Sequence, residues 1–315
     1  MWSVINDFLV NVDNFVWGVP LMVLIMAGGL LLTVRLGLLQ IRKLPLALKW
    51  MIQNEEEAEG EISSFAALCT ALSATIGTGN IVGVATAIGI GGPGAVFWMW
   101  FTGLLGMATK FGEATLAVKY RVKAADGSFI GGPMYALERG LGHKWLGVLF
   151  AIFTGIACFG IGNMTQANSI AESMNGTFGI PKIATGIVLM VITGLVILGG
   201  VKSISKVCEK LIPLMAGLYI LGCLVICVIN GAYIPAAFSA IIHGAFNPQA
   251  VGGGFVGATV VACIRAGVSR GLFTNESGLG SAPIVDACAA TRNPARQALI
   301  SMSGVFWDTI VVCLL

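Results

Sequence analysis

Gly77-Thr78-Gly79-Asn80 sits in the middle of an apolar run, residues 63–90 (SSFAALCTALSATIGTGNIVGVATAIGI). As one helix at about 1.5 Å per residue, that run measures roughly 42 Å against about 30 Å of hydrocarbon, so it can lose a turn and still cross a bilayer. Each glycine weakens a helix by roughly 1 kcal/mol relative to alanine, and the Asn80 amide needs partners in a dry setting. Small-residue packing motifs repeat every fourth position, whereas Gly77 and Gly79 are two apart, so the spacing favours a broken helix over a packing face. A break frees the amides near Thr78 and Gly79 beside a helix N-terminus, where they suit a carboxylate. Carbonyls just before it, around Ser73, Thr75 and Ile76, together with the Asn80 side chain, are hard oxygen ligands suited to a small cation.

A second run of the same kind is RGLFTNESGLGSAP, residues 270–283, where glycines, a proline and a dense polar set interrupt another apolar segment. An ionisable residue in a span is a functional hypothesis by default. Phe273, Thr274, Asn275 and Ser277 are read as substrate or ion contacts, with Arg270 and Glu276 gating or bracing. The plain alternative for Glu276 is an ion pair with Arg270 or Arg265. Lys110 and Glu113 lie three apart near one end of a helix and are also read as gating or bracing, either paired with each other or reaching the interface. Gln166 can reach a ligand at the midplane only if its helix extends past it. His243 reads as structural, and Asp308 as an unexplained carboxylate within a span.

Eight spans must position these residues: roughly 16–39, 62–90, 94–118, 145–165, 183–201, 210–230, 254–289 and 298–315. The chain is 57% hydrophobic and only 10% charged, with a mean hydropathy of +0.90, which excludes an ordinary soluble domain. Fourteen of the 18 basic residues fall in the loops after odd-numbered spans, which places the N-terminus outside and supports the count of eight. No basic leader precedes the first span, because Asp7 and Asp13 occupy that stretch. The segments divide into 1–61 (first helix and acidic linker), 62–231 (five spans), 232–253 (an outer capping segment) and 254–315. Residues 131–145 read as a short interfacial helix. The eight cysteines show neither metal-ligand spacing nor a disulfide framework. No catalytic or nucleotide-binding motif appears, so the chain reads as no enzyme, needs no cofactor and binds no nucleic acid. Active transport must then draw on an ion gradient. A channel is a rival reading, since filters also use broken helices.

Spans two and seven are both broken, lie five apart and run in opposite directions, the arrangement of inverted-repeat transporters. Five stretches carry a resemblance: SATIGTGNIVGVATAI, TKFGEATLAVKYR, GGPMYALERGLG, GNMTQANSIAES and RAGVSRGLFTNESGLGSAPI. From about Leu30 to Leu315 the chain resembles the alanine or glycine:cation symporter family. The resemblance implies an all-α polytopic membrane protein of the leucine-transporter type, with inverted five-helix repeats, an extra N-terminal helix and an incomplete second repeat. It implies sodium as coupling ion, small neutral amino acids as cargo, and a multi-pass protein in the inner (cytoplasmic) membrane. Carried over residue by residue, Thr78 and Gly79 would hold the carboxylate. Asn80 and the Thr75 carbonyl would hold one sodium, with the Ser73 and Ile76 carbonyls near a second. Gln166 and Phe273, Thr274 and Asn275 would line the substrate. Three helices of the family's core are expected to be missing, which raises a non-transporting fragment as an alternative. Proton coupling is the other, because Glu276 and Asp286 are titratable and lie in or near span seven.

Overall fold

A computed structural model of the chain describes residues 2–16, 18–53, 55, 58–246 and 260–315. Asn54, Glu56 and Glu57 of the acidic linker lie outside them, as do 247–259, which hold the end of the expected cap and the start of span seven. Helices dominate the described residues, in chain order α1 (Trp2–Val16), α2 (Val19–Arg35), α3 (Leu39–Arg42) and α4 (Leu44–Ile52). Span two is α5 (Ser64–Thr75), then a wide turn over Gly79–Gly83 that runs on into α6 (Val84–Gly91). The two parts of span two are bent by 48° at the break. Span three is the straight α7 (Ala95–Lys119), followed by a hairpin of β1 (Val122–Lys123) and β2 (Phe129–Ile130). Asp126 and Gly127 (φ +85°) make its turn, and the Ser128 hydroxyl and amide donate to the Asp126 carboxylate, holding it below the usual carboxylate range. Next come α8 (Pro133–Tyr135), α9 (Lys144–Ala157), α10 (Thr165–Phe178), α11 (Lys182–Ile197), α12 (Gly200–Ile229) and α13 (Ile234–Phe246). Beyond 247–259 lie α14 (Val260–Asn275), α15 (Ala282–Asp286) and α16 (Pro294–Val305), the last continuing through Phe306–Val312.

By length and composition, two helical stretches are long and apolar enough to cross a membrane, Lys144–Phe178 and Gly200–Ile229. The bent pair Ser64–Thr75 and Gly79–Gly91 makes a third if taken as one span. Shorter or more polar helices stand in the other expected spans. Span four departs from the expected end at 165. The polar segment 165–178 stays helical until Gly179 (φ +68°) closes it, with the Gly179 and Ile180 amides bonded back to the Asn175 and Met174 carbonyls. The same span is interrupted inside, where Ile161 (ψ 133°) and Gly162 (φ +76°) leave helical geometry.

The core gathers where small residues let helices meet. α7 packs along both α14 and α16. A Cβ on Gly103 would stand 2.8 Å from the Thr309 methyl, and one on Gly106 would stand 3.1 Å from the Ser277 hydroxyl. Only glycine permits that approach. The fully buried Gln40 adds a polar tie from its amide to the Thr33 hydroxyl, 2.9 Å, and the Leu104 carbonyl, 3.4 Å. By contrast, α9, α11 and α12 turn large apolar side chains such as Phe153, Leu195 and Val228 outward. Such a surface is stable only against lipid or another apolar partner.

The two broken spans lie side by side and antiparallel. At one end Gly91 meets Cys263 and Ala266, in the middle Gly79 meets Phe273 and Thr274, and at the other end Ile62 pairs its backbone with Ala289. The breaks therefore fall at the same level.

Candidate functional site

A helix that stops in mid-span leaves its last carbonyls and the next helix's first amides without internal partners. At the first break those carbonyls belong to the end of α5 and the amides to Thr78 and Gly79, so freed groups of both signs face one spot. That spot is a cavity of about 60 Å³. Every residue of 73–79 lines it, with Ile161 and Gln166 from the interruption of span four, and Phe273 and Glu276 from the second break. Three separate interruptions converge on one small space.

Of the residues expected at the site, Ser73, Thr75, Ile76, Thr78, Gly79, Gln166, Phe273 and Glu276 line this cavity. The remaining seven stand elsewhere, Ser277 among them, its side chain buried without a partner. Thr274 turns its hydroxyl back onto the Arg270 and Gly271 carbonyls and its methyl toward Gly79. Asn80 is buried behind the cavity wall. Its Oδ1 accepts from the Gly77 amide at 2.8 Å, and its Nδ2 donates to the Asp308 carboxylate at 2.8 Å and the Asp308 carbonyl at 3.2 Å. Asp308, unexplained in the sequence, is therefore the side chain that orients Asn80, and Thr309 donates to its other oxygen at 2.7 Å. Asn275 shares a tight polar layer with Thr75, Lys110, Ser301 and Asp308, where only about 10 Å³ is open.

Lys110 is a correction. It is 3% exposed, far from snorkelling, and its ammonium donates to the Asn275 carbonyl at 3.3 Å, capping α14 where it stops. Among the described residues the ion pairs are Lys182–Glu172 and Arg296–Glu55, so Lys110 does not pair with Glu113. Gly106 is the reason: by letting the second break press onto α7, it brings a backbone acceptor closer than the same-helix carboxylate. Glu113 instead lines a cavity of about 350 Å³ with Gly278 and Gly280, and its Oε2 is buried without a partner. Glu276 pairs with neither arginine. It sits at φ +52° and accepts from the Ser281 hydroxyl. Arg270 and Arg265 line a larger cavity, about 710 Å³, that shares Ile161 and Phe273 with the central one. Asp286 accepts from Gln297 and Ser301 and is off the cavity wall.

Sequence reasoning missed the third interruption, yet its signal is present. Gly160-Ile161-Gly162-Asn163 repeats the Gly-x-Gly-Asn spacing of the first break. The helix also runs past Gln166 to Phe178, the condition for that side chain to reach the cavity.

Broken, antiparallel helices around a small cavity that adjoins a larger one suit a membrane transporter rather than an enzyme. The comparisons agree: residues 2–315 match the sodium:alanine symporter family, and the chain belongs to it. It is 54% identical to the sodium/alanine symporter AgcS of Methanococcus maripaludis, over 97% of this chain and 68% of that protein. A transporter of Haemophilus influenzae with no assigned substrate is 55% identical over 98% and 68% respectively. The amino-acid carrier protein AlsT of Bacillus subtilis is 40% identical over 99% and 66%. The chain thus spans about two thirds of the length of these relatives.

Proposed function

We propose that the chain carries out sodium-coupled symport of small neutral amino acids, alanine or glycine, by alternating access. The observation that carries this is the convergence of three helix interruptions on one cavity of about 60 Å³. So small a space favours a compact cargo such as glycine or alanine over one with a long side chain. The amides of Thr78 and Gly79 take the carboxylate at the start of the 79–91 helix. Glu276 is the one charged side chain among the lining residues and suits the ammonium group. Gln166 and Phe273 close the remaining walls, with Thr274 and Asn275 supporting them from behind. Sodium goes to the carbonyls of Ser73, Thr75 and Ile76, with the Asn80 amide in reach once it yields its bond to Gly77. In this reading 62–231 forms one five-helix repeat of the leucine-transporter type and 254–315 belongs to its inverted counterpart, after the extra N-terminal segment 1–61 and the cap 232–253. The membrane is the cytoplasmic one, with the basic loops inside.

The test is sodium-dependent binding of radiolabelled alanine to the purified protein, beside alanine uptake at fixed pH with sodium replaced by choline. Binding that needs sodium and uptake that collapses in choline support the reading. Undiminished uptake in choline overturns sodium drive and leaves a proton as the coupling ion.

A further inference from the structure

One face of the molecule ties the two broken spans together through a residue that belongs to neither. Arg121, just beyond α7, spreads its guanidinium over four carbonyls. Nη1 donates to Ala287 at 3.1 Å and Ala289 at 2.7 Å, and Nη2 donates to Glu59 and Thr291, both at 3.0 Å. Its planar group lies 4.3 Å from the centre of the Phe129 ring. The fork-shaped donor set of arginine makes this possible, and a lysine ammonium cannot reproduce it. Backbone bonds run alongside: the Glu61 and Ile62 amides donate to the Cys288 carbonyl, and the Ala290 amide to Ile62 at 2.7 Å. Phe129 joins in, its amide bonded to the Glu61 carboxylate at 2.7 Å and its carbonyl accepting from the Cys288 thiol at 3.2 Å. Segment 59–62 leads into α5, and 287–291 follows α15.

At the opposite ends of the same two spans Gly91 packs closely on Cys263 and Ala266, where a Cβ would stand 3.0 Å and 2.9 Å from them, and the large cavity shares two wall residues with the central one. α5 has 12 residues between break and clamp, a lever of about 18 Å. Its pivot is the non-helical pair Ile76 and Gly77. We infer that Arg121 is a positioning residue for transport, a latch whose carbonyl clamp holds the two broken spans together on the hairpin face and whose release opens the central cavity to that face. The inference rests on the proposed alternating access. Neutral acceptors suit a latch, since each bond breaks singly and no buried counter-charge is left behind.

The experiment uses the full chain with the seven cysteines other than Cys288 replaced. Cys288 is 7% exposed beside the clamp, so its labelling by a membrane-permeant thiol reagent reports latch opening. Arg121→Lys and, as a milder second variant, Phe129→Ala are expected to raise the labelling rate several-fold. The number of alanine sites should stay unchanged while the KM for uptake rises. Labelling unchanged in both variants overturns the latch. A second measurement joins the bridged pair with Ile62→Cys and Ala289→Cys in a cysteine-free background. The disulfide is expected to abolish uptake, spare alanine binding and be reversed by reductant; undiminished uptake in the oxidised protein overturns the proposal. If alanine never binds yet the labelling rises, the latch stands and the transport reading fails.

Discussion

The first break and the second interrupt neighbouring helices at the same level, yet they are built differently. The first is brief. Helix resumes at Gly79, no residue of 76–80 has a positive φ, and the Asn80 amide satisfies Gly77 on one side and Asp308 on the other. The second runs from 276 to 281 and holds three residues at positive φ, Glu276 (+52°), Gly278 (+94°) and Gly280 (+79°). It also leaves the Asn275 Nδ2 and Ser277 Oγ buried without partners. Glu276, a non-glycine residue in the left-handed region, stores roughly 1–3 kcal/mol that persists where the surroundings over-determine it, whereas Gly278 and Gly280 take up positive φ freely. The contrast teaches a division of labour. A braced break presents fixed amides and carbonyls, while a strained one with spare donors is the part with reason to rearrange when a ligand arrives.

The largest expected effect that would test this contrast is at Gly79. Even a Cβ there would stand 3.1 Å from the Thr274 methyl, so Gly79→Leu should abolish alanine binding. Gly77→Ala, which meets nothing within 4 Å, should keep binding within a few-fold. Equal losses at both positions would mean that the break needs glycine for its backbone alone. Next is Asn80→Ala, which strands the Gly77 amide and the Asp308 carboxylate at about 1–3 kcal/mol each. It should lower the melting temperature in detergent and remove the sodium dependence of binding together. A drop in melting with sodium dependence intact would make Asn80 a brace only. Gly278→Ala at φ +94°, with Ile25 3.3 Å from the new Cβ, should cost about 1–3 kcal/mol by the same melting assay. Smallest is Ser277→Ala, which removes a hydroxyl that has no partner and should leave stability within about 0.5 kcal/mol. If it instead weakens alanine binding at unchanged stability, that hydroxyl is a ligand contact and the second break is the richer half of the site.

What the sequence made legible was local. Gly-x-Gly-Asn inside a run long enough to span, and a cluster of glycine, proline and polar residues inside another, each announce a break without reference to the rest of the chain. The third interruption was equally local and was overlooked because Gly160 and Gly162 sit in an apolar stretch with no charge or proline nearby. Asp308 was not legible, since its meaning comes from an amide 228 residues away. The partner of Lys110 was not legible for a related reason. Its spacing from Glu113 suits a same-helix pair, but its acceptor is a backbone carbonyl, which no side-chain pattern reveals. The antiparallel level of the two breaks was expected from topology, and the contacts of Gly79 and Gly91 with α14 place it.

The Arg121 clamp has a consequence for biogenesis. Three of its acceptors lie 166 to 170 residues further along the chain, whereas Glu59 is already made when Arg121 emerges. At roughly 5–20 residues per second of synthesis, about 10–30 s pass before the guanidinium meets its remaining acceptors. During that interval Glu59 is the one acceptor of the four already made. The four-carbonyl clamp is thus a late event in synthesis, completed only once segment 287–291 has been made.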